Sequence, residues 1–500
     1  MKETILNIIK DTNITFEQRV LGLARAAENS LDVLEMTDYV KEYREEGIIC
    51  DLFEGNAPYR PRYILPDYDK FIKDGCEFLN ITPPADIWEA VNNLLMFYKH
   101  VPSITTMPVY IGNIDYLLEK FVTDENENEC YRAIKLFLKH IDTTITDSFC
   151  HANIGPRETK AGMLILKAMR ELELPTPNLT LKYSEETSDR LAIESINTAL
   201  VTAKPSFAKD SMYKEDFGGN EYGIVSCYNG LEVGGGAHTL VRVRLGKLAK
   251  KAADRADFMG RVLPKAAHEM LGYIDERIRF ILEESVFFKV NFLVAEGFLH
   301  KEKFTGLFGL VGLAECVNHL MELEGKSGRF GSNDTANELG EDIVKALTKI
   351  LKDHRCKYFE NEEKKHLLHS QVGIETDAGE SPGCRIPIGE EPEIFEHIVQ
   401  ASPFHKYFAS GIGDIYSFDE TYKKNPHAIL DIINGGFNMG LRFFSMYGND
   451  CDVVRVTGYL VKKSEMEKLD EGKVVLRDTT VLGKGARDNG RVLERKLRKK

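Results

Sequence analysis

Two residues in this chain stand in settings that can carry radical chemistry. The first is Gly458. A β-branched run, Val453-Val454-Arg455-Val456-Thr457, stops at it and resumes with Tyr459-Leu460-Val461. The plain reading is a strand with a glycine bulge. A second reading rests on the α-carbon. A radical there is stabilised when the centre is planar, with the amide nitrogen donating density and the carbonyl withdrawing it. A side chain would crowd that plane, and glycine has none. Such a radical is a store. It needs a thiol, whose S–H bond is close enough in strength to exchange hydrogen reversibly. The second residue is therefore a cysteine. Cys227 stands within Asn220 to Gly230, where an apolar strand, read over Tyr222 to Tyr228, ends at a turn. Cys384, in Ser381-Pro382-Gly383-Cys384-Arg385, is its rival. Free cysteines are usually small buried hydrophobes, and that reading fits Cys50, Cys150, Cys316 and Cys451.

The motif Arg455-Val456-x-Gly458-Tyr459, close to the chain end, resembles the signature of the glycyl radical enzymes. That group holds pyruvate formate-lyase, the diol dehydratases and the anaerobic ribonucleotide reductases. Thr457 departs from it, standing where the family usually has Ser, Ala or Cys. Asn220 to Gly230, around Cys227, resembles the cysteine loop of the formate-lyase group. Pro177 to Glu185 resembles a recurring family segment, and Gly236 to Leu245 is similar to the strand after the cysteine in anaerobic ribonucleotide reductases. The resemblance implies that Gly458 stores the radical and that Cys227 becomes the thiyl which abstracts hydrogen from a substrate. Cys227 precedes Gly458 by 231 residues, leaving room for half a barrel, whereas Cys384 precedes it by only 74.

Departures from better-known members narrow the reaction. Formate-lyases have two adjacent cysteines, and Ser226 replaces the first here. Eliminases carry Gly-Cys-x-Glu with the carboxylate as base, and Asn229 stands at that position. An amide is no general base, and Glu232 lies three residues further on. The four-cysteine zinc site and the nucleotide-sensing domain of the reductases are not visible. The chain continues for 42 residues past Gly458. This profile most resembles the YjjI-type glycine radical enzymes. The polar residues His238, Arg242 and Arg244 after the cysteine strand, and Tyr228 beside the thiol, predict a small, polar, oxygen-bearing substrate. The alternatives are a reductase-like enzyme without the zinc site, or a radical-fold scaffold without catalysis.

Pocket candidates flank the cysteine: Tyr228, Asn229, Asn178, His238, Arg242 and Arg244. Alternation along Ala237–Leu245 puts His238, Leu240, Arg242 and Arg244 on one strand face. They would hold an oxyanion or phosphate, or form an outward polar side. Gly230, Gly234, Gly235 and Gly236 would let backbone approach a substrate, without the strand–helix setting of a dinucleotide loop. His151 reads as structural.

These residues need a scaffold. The first 170 residues read as mainly helical, with a helix start at Thr82 to Asp86. From Leu174 onward, short strand patterns alternate with helical ones, which predicts parallel pairing in an α/β fold. Phe288 to Val294 reads as a further strand and Gly373 to Gly389 as a loop. The resemblance implies a ten-stranded α/β barrel of two five-stranded parallel halves, wrapped in helices, with cysteine and glycine finger loops inside. Residues 1–430 would form the catalytic barrel and 431–500 the C-terminal radical domain, mobile from about Gly435-Gly436.

Composition agrees. The net charge of −13 argues against a nucleic-acid surface. The basic run Arg491 to Lys500 reads as a solvated tail. No stretch of 18 apolar residues is present, so no membrane span is expected. The N-terminus does not read as a signal peptide. Nine cysteines without a Cys-x-x-Cys suit reduced thiols in a cytosol, and no metal site or bound cofactor is expected. The resemblance implies a radical installed by an external radical-SAM activase, a cytoplasmic homodimer, and a small-molecule substrate.

Overall fold

The computed structural model describes all residues except 52–54, 102–108, 146, 148, 362, 372–378, 457 and 491–500. Thr457, the basic run Arg491 to Lys500 and part of the expected 373–389 loop therefore lie outside the described residues.

The N-terminal third is helical, as expected. Helix Ile87–Lys99 shows why: the Asp86 side chain accepts from the Glu89 amide at 2.9 Å, capping the first turn. Its Ile87, Val91, Leu94 and Tyr98 then fall on one buried face. Between such helices run β1 (Ile49–Cys50), β2 (Tyr63–Leu65) and β3 (His151–Ile154). Then follow β4 (Asn178–Tyr183), β5 (Ser206–Lys209), β6 (Tyr222–Val225), β7 (Asn229–Glu232) and β8 (Gly235–Arg244). The later strands are β9 (Phe304–Val311), β10 (Leu367–Ser370), β11 (Asp414–Phe418), β12 (Phe443–Gly448), β13 (Val453–Val456) and β14 (Tyr459–Lys462).

Two five-stranded sheets form. In one, β8, β9 and β10 run parallel, and β1 and β2 return antiparallel on β8. In the other, β3, β4 and β5 run parallel, β11 and β12 run parallel, and β12 meets β5 antiparallel. The sheets are thus mixed. Parallel pairs join strands linked by helices, and the antiparallel pairs join strands from the early and late parts of the chain. These strands are buried on both faces, as expected when helices cover a sheet.

Two expectations are corrected. Phe288 to Val294 is not a strand but parts of two short helices, Phe287–Val290 and Phe292–Ala295. The Asn291 side chain accepts from the Leu293 amide and starts the second. The alternation of Ala237–Leu245 is broken by a register shift between Ala237 and Leu240, and every residue of β8 is buried, so no polar side faces outward. Gly435 and Gly436 lie inside helix Pro426–Met439, and β12 after it is central in its sheet. The expected boundary at residue 431 thus falls within that helix.

Candidate active site

Two hairpins meet tip to tip. β6 and β7 pair antiparallel from Tyr222↔Glu232 to Val225↔Asn229, leaving Ser226, Cys227 and Tyr228 as a three-residue tip. β13 and β14 pair from Val453↔Lys462 to Val456↔Tyr459, which puts Gly458 at the tip. The Cys227 thiol donates to the Gly458 carbonyl oxygen at 3.5 Å, and both residues are buried.

Neighbouring strands hold the cysteine tip. Ser226 sits at φ +58°, the left-handed region that non-glycine residues rarely occupy. Its carbonyl is fixed from two sides, by His151 Nδ1 at 2.7 Å and by Asn178 Nδ2 at 3.2 Å. A carbonyl can only accept, so His151 Nδ1 carries the proton. Its Nε2 then accepts from the Thr180 hydroxyl at 2.7 Å. Burial lowers the His151 pKa to about 3, which keeps this neutral tautomer. Below the tip, Asn153 brackets Ile224, accepting from its amide at 2.8 Å and donating to its carbonyl at 2.9 Å.

The glycine tip is held by a residue of its own motif. Arg455 is buried and donates to the Ala203 carbonyl at 3.0 Å, the Ser206 hydroxyl at 3.0 Å and Asn178 Oδ1 at 3.2 Å. Asn178 therefore touches both hairpins. One end of its amide takes Arg455, and the other gives to Ser226. Val453, Val454, Val456, Leu460 and Val461 are fully buried around the same hairpin, against Ala203, Ile415 and Tyr447.

Burial pushes the Cys227 thiol up to about 11, with the Ser226 side chain and the positive charges of Arg455 and Arg385 pulling the other way. The sulfur therefore keeps its hydrogen at neutral pH. That state can give up a hydrogen atom and is a poor nucleophile.

The remaining candidates divide. The Tyr228 hydroxyl donates to the Ser370 carbonyl at 2.5 Å. Gly411, at φ +131°, lets the 410–413 loop pass behind Tyr228, where a Cβ would fall 2.3 Å from its carbonyl. Asn229 donates to the Val225 carbonyl at 3.1 Å, closing its own hairpin. Its Oδ1 is buried and has no partner among the described residues. His238, Arg242 and Arg244 are placed by β8 instead. The His238 ring packs on Phe304 at 5.1 Å and Phe288 at 5.8 Å. Arg242 is fully buried, its backbone in register with Cys50 and Gly309. Arg244 is ion-paired with Glu380. The glycines after the tip are filled by protein: a Cβ would fall 2.6 Å from the Tyr213 ring at Gly230 and 1.9 Å from the Tyr63 carbonyl at Gly236.

The sequence did not single out the residues beyond Tyr228. Arg385 donates to the Gly413 carbonyl at 2.7 Å and lies 3.9 Å from Asp414 Oδ1. His397 Nε2 is 3.3 Å from the same oxygen. Burial raises the Asp414 carboxyl, and the interactions with His397 and Arg385 outweigh it and hold the group down at about 2. Cys384, the rival thiol, sits in the Arg385 turn with its amide donating to the Ser370 hydroxyl at 3.2 Å. The only local signal was that Ser381 to Arg385 reads as a turn; His397 and Asp414 arrive from separate elements.

Solved structures and protein families place this arrangement. Over 94% of this chain, the fold is similar to anaerobic ribonucleotide reductase, at TM-score 0.67 and 12% identity, covering 84% of that chain. The glycerol-bound B12-independent glycerol dehydratase of Clostridium butyricum is similar over 91% of this chain and 81% of its own, at TM-score 0.63 and 10% identity. At these identities the likeness is one of fold. Full-length relatives are nearer. An uncharacterized protein of Haemophilus influenzae is 47% identical over 99% of this chain and 97% of its own length. The protein YjjI of Escherichia coli K12 is 40% identical over 100% of this chain and 96% of its own length. The family model described as glycyl radical enzyme YjjI-like matches residues 14–498. On that match, and on likeness to these relatives from end to end, the chain belongs to the YjjI-like glycyl radical enzyme family.

Proposed function

We propose that Gly458 stores a radical which Cys227 borrows to abstract hydrogen from a small, polar organic substrate. The carrying observation is the 3.5 Å contact between the Cys227 thiol and the Gly458 carbonyl, made at the tips of two buried hairpins. The steps balance. The S–H hydrogen of Cys227 moves to the Gly458 α-carbon, leaving a thiyl. The thiyl takes a hydrogen atom from a substrate C–H, restoring the thiol and leaving a substrate radical. Return of hydrogen from the thiol to the product radical reverses the sequence, with Gly458 again the store.

The pocket side of the tip supplies polarity. Asn229 Oδ1 accepts a substrate hydroxyl, as a buried acceptor without a protein partner would. Its amide cannot take a proton, so the reaction is not the carboxylate-assisted dehydration of the eliminases. Two sheets, with a Ser370 amide to Gly411 carbonyl bond of 3.1 Å between β10 and the approach to β11, support closure into a ten-stranded barrel around both tips. Such a wall keeps water, oxygen and stray hydrogen donors away from a radical. The radical itself is installed by a radical-SAM activase, and the working enzyme is a cytoplasmic homodimer.

The test is anaerobic incubation with a radical-SAM activase, followed by electron paramagnetic resonance. A doublet that depends on Gly458 is expected, and the same doublet from Gly458→Ala would overturn the assignment. Glycerol, propanediol, choline, pyruvate and ribonucleoside triphosphates are then offered to the activated protein. Turnover of glycerol, propanediol or choline at ordinary enzyme rates would overturn the argument from Asn229.

A further inference from the structure

Behind strand β10, four metal-type side chains converge. Asp275 comes from helix Leu263–Arg279, His354 and Cys356 from the turn after helix Asp334–Asp353, and His366 from the residue before β10. A carboxylate oxygen of Asp275, the Cys356 sulfur and a ring nitrogen of His366 all lie within 4.8 Å of one another. Asp275 Oδ1 is 2.8 Å from His366 Nε2, and Oδ2 is 2.9 Å from His354 Nε2. The two imidazole centroids are 5.4 Å apart. Cys356 and His366 are buried, while the Asp275 and His354 side chains each keep 18% exposure. The cluster is therefore walled by protein and reachable from one side.

The local backbone is shaped to the His366 ring. A Cβ on Gly306 of β9 would fall 2.4 Å from His366 Nδ1. Only a glycine there lets the ring lie against the bare strand with Nε2 turned to Asp275. Each short N···O contact needs only an Nε2–H on a neutral ring, so the Asp275 carboxylate already draws both imidazoles in without either being charged. One divalent cation would meet all four groups with neutral rings and a thiolate.

We propose that Asp275, Cys356 and His366 bind a zinc-type divalent ion, with His354 as the fourth ligand. A mixed oxygen, sulfur and nitrogen set suits a borderline-soft ion in tetrahedral geometry. Bonds of about 2.0–2.3 Å place ligand atoms roughly 3.3–3.7 Å apart, which the 4.8 Å envelope of Asp275, Cys356 and His366 approaches, while His354 would have to turn in from its place on Asp275 Oδ2. The ion would clamp β10 onto helix Leu263–Arg279. β10 also carries Ser370, whose carbonyl takes the Tyr228 hydroxyl beside Cys227. The site therefore steadies the wall of the thiol pocket without joining its chemistry.

The test uses the full, tag-free chain stripped with a chelator and titrated with Co²⁺. One equivalent should bind with thiolate-to-cobalt charge transfer and the strong visible bands of a tetrahedral ion. One equivalent of Zn²⁺ should displace it. Cys356→Ser should abolish the charge transfer, and the milder His354→Gln should weaken binding roughly 10- to 100-fold. Cys130→Ser, in a distant helix, should leave the titration unchanged. Circular dichroism confirms that each variant is folded. Absence of charge transfer in the parent chain, or an unaltered cobalt titration in folded Cys356→Ser or His354→Gln, overturns the proposal.

Discussion

Serine at position 227 keeps the shape of the tip and changes the bond that matters. Its O–H bond is too strong to lose hydrogen to a glycyl radical. Cys227→Ser should keep the Gly458 doublet and lose roughly 10⁴-fold or more of the turnover, as loss of a reacting group does. Cys384→Ser should retain most of it, and the reverse pattern would move the chemistry to the later turn. The thiol also predicts a pH profile. Its pKa in the fold is raised to about 11, and only the protonated sulfur has a hydrogen to give. Activity should not fall through Cys227 ionisation until the pH approaches that value. A Cys227-dependent alkaline limb near pH 8.5, about where free cysteine titrates, would show that the thiol is not shielded. At this scale the sequence was informative for a physical reason. Gly458 and Cys227 are set in short local motifs, and their neighbours in sequence are their neighbours in space. Arg385, His397 and Asp414 carry no such mark, because three separate elements bring them together.

Among elements, Asn178 of β4 does the joining. It accepts from Arg455 of the glycine hairpin and donates to Ser226 of the cysteine hairpin, each at 3.2 Å. Asn178→Ala leaves a buried guanidinium and a buried carbonyl each short of one partner. It should cost about 1–3 kcal/mol and lower turnover more than it lowers the doublet, because the two tips lose their common gauge. Thermal melts and spin counting on the same sample decide it. The parallel α/β pattern was legible from strands alternating with helices. The 288–294 segment was misread because its Phe and Val content suits a strand, while the Asn291 cap that makes it helical is a single side-chain contact. Gly435-Gly436, which two adjacent glycines would suggest as a break, lies inside a helix. Tertiary packing overrides propensity there: a Cβ on Gly436 would fall 2.8 Å from Leu441.

For the molecule as a whole, the proposed activation raises the question of how another enzyme would reach a buried glycine. Val453, Val454, Val456, Leu460 and Val461 are fully buried, so withdrawing the hairpin forfeits on the order of 10 kcal/mol of apolar burial. The activase must offer replacement surface. The C-terminal segment is also tied down by Arg477, which is ion-paired with Asp142 of helix Glu127–Thr144 and with Glu465. Asp142→Asn breaks a buried pair and should cost about 3–5 kcal/mol. Amides of residues 453–462 should then exchange faster with deuterium than in the parent chain. Equal exchange would show that this pair does not hold the hairpin. Air should cleave the activated chain at Gly458, because oxygen adds to the carbon radical and the peroxyl product breaks the backbone. Intact mass before and after exposure reads it, and an uncut chain with proven radical content would count against the site.

The continuity of β12 with this hairpin sets a leash. Gly448 ends a central strand, and a Cβ there would fall 2.5 Å from the Leu200 carbonyl. That anchor stays with the sheet when the tip leaves. Gly458 lies ten residue steps beyond Gly448. Even fully extended they reach no more than about 33–36 Å. An activase that draws Gly458 out along this path works inside that radius, so its footprint must lie on the end of the sheet where β12 stops. Lengthening residues 449–452 with flexible spacer would widen the radius and dilute the glycine's local concentration at the activase. Activation should slow, while an enzyme already carrying its radical turns over as before.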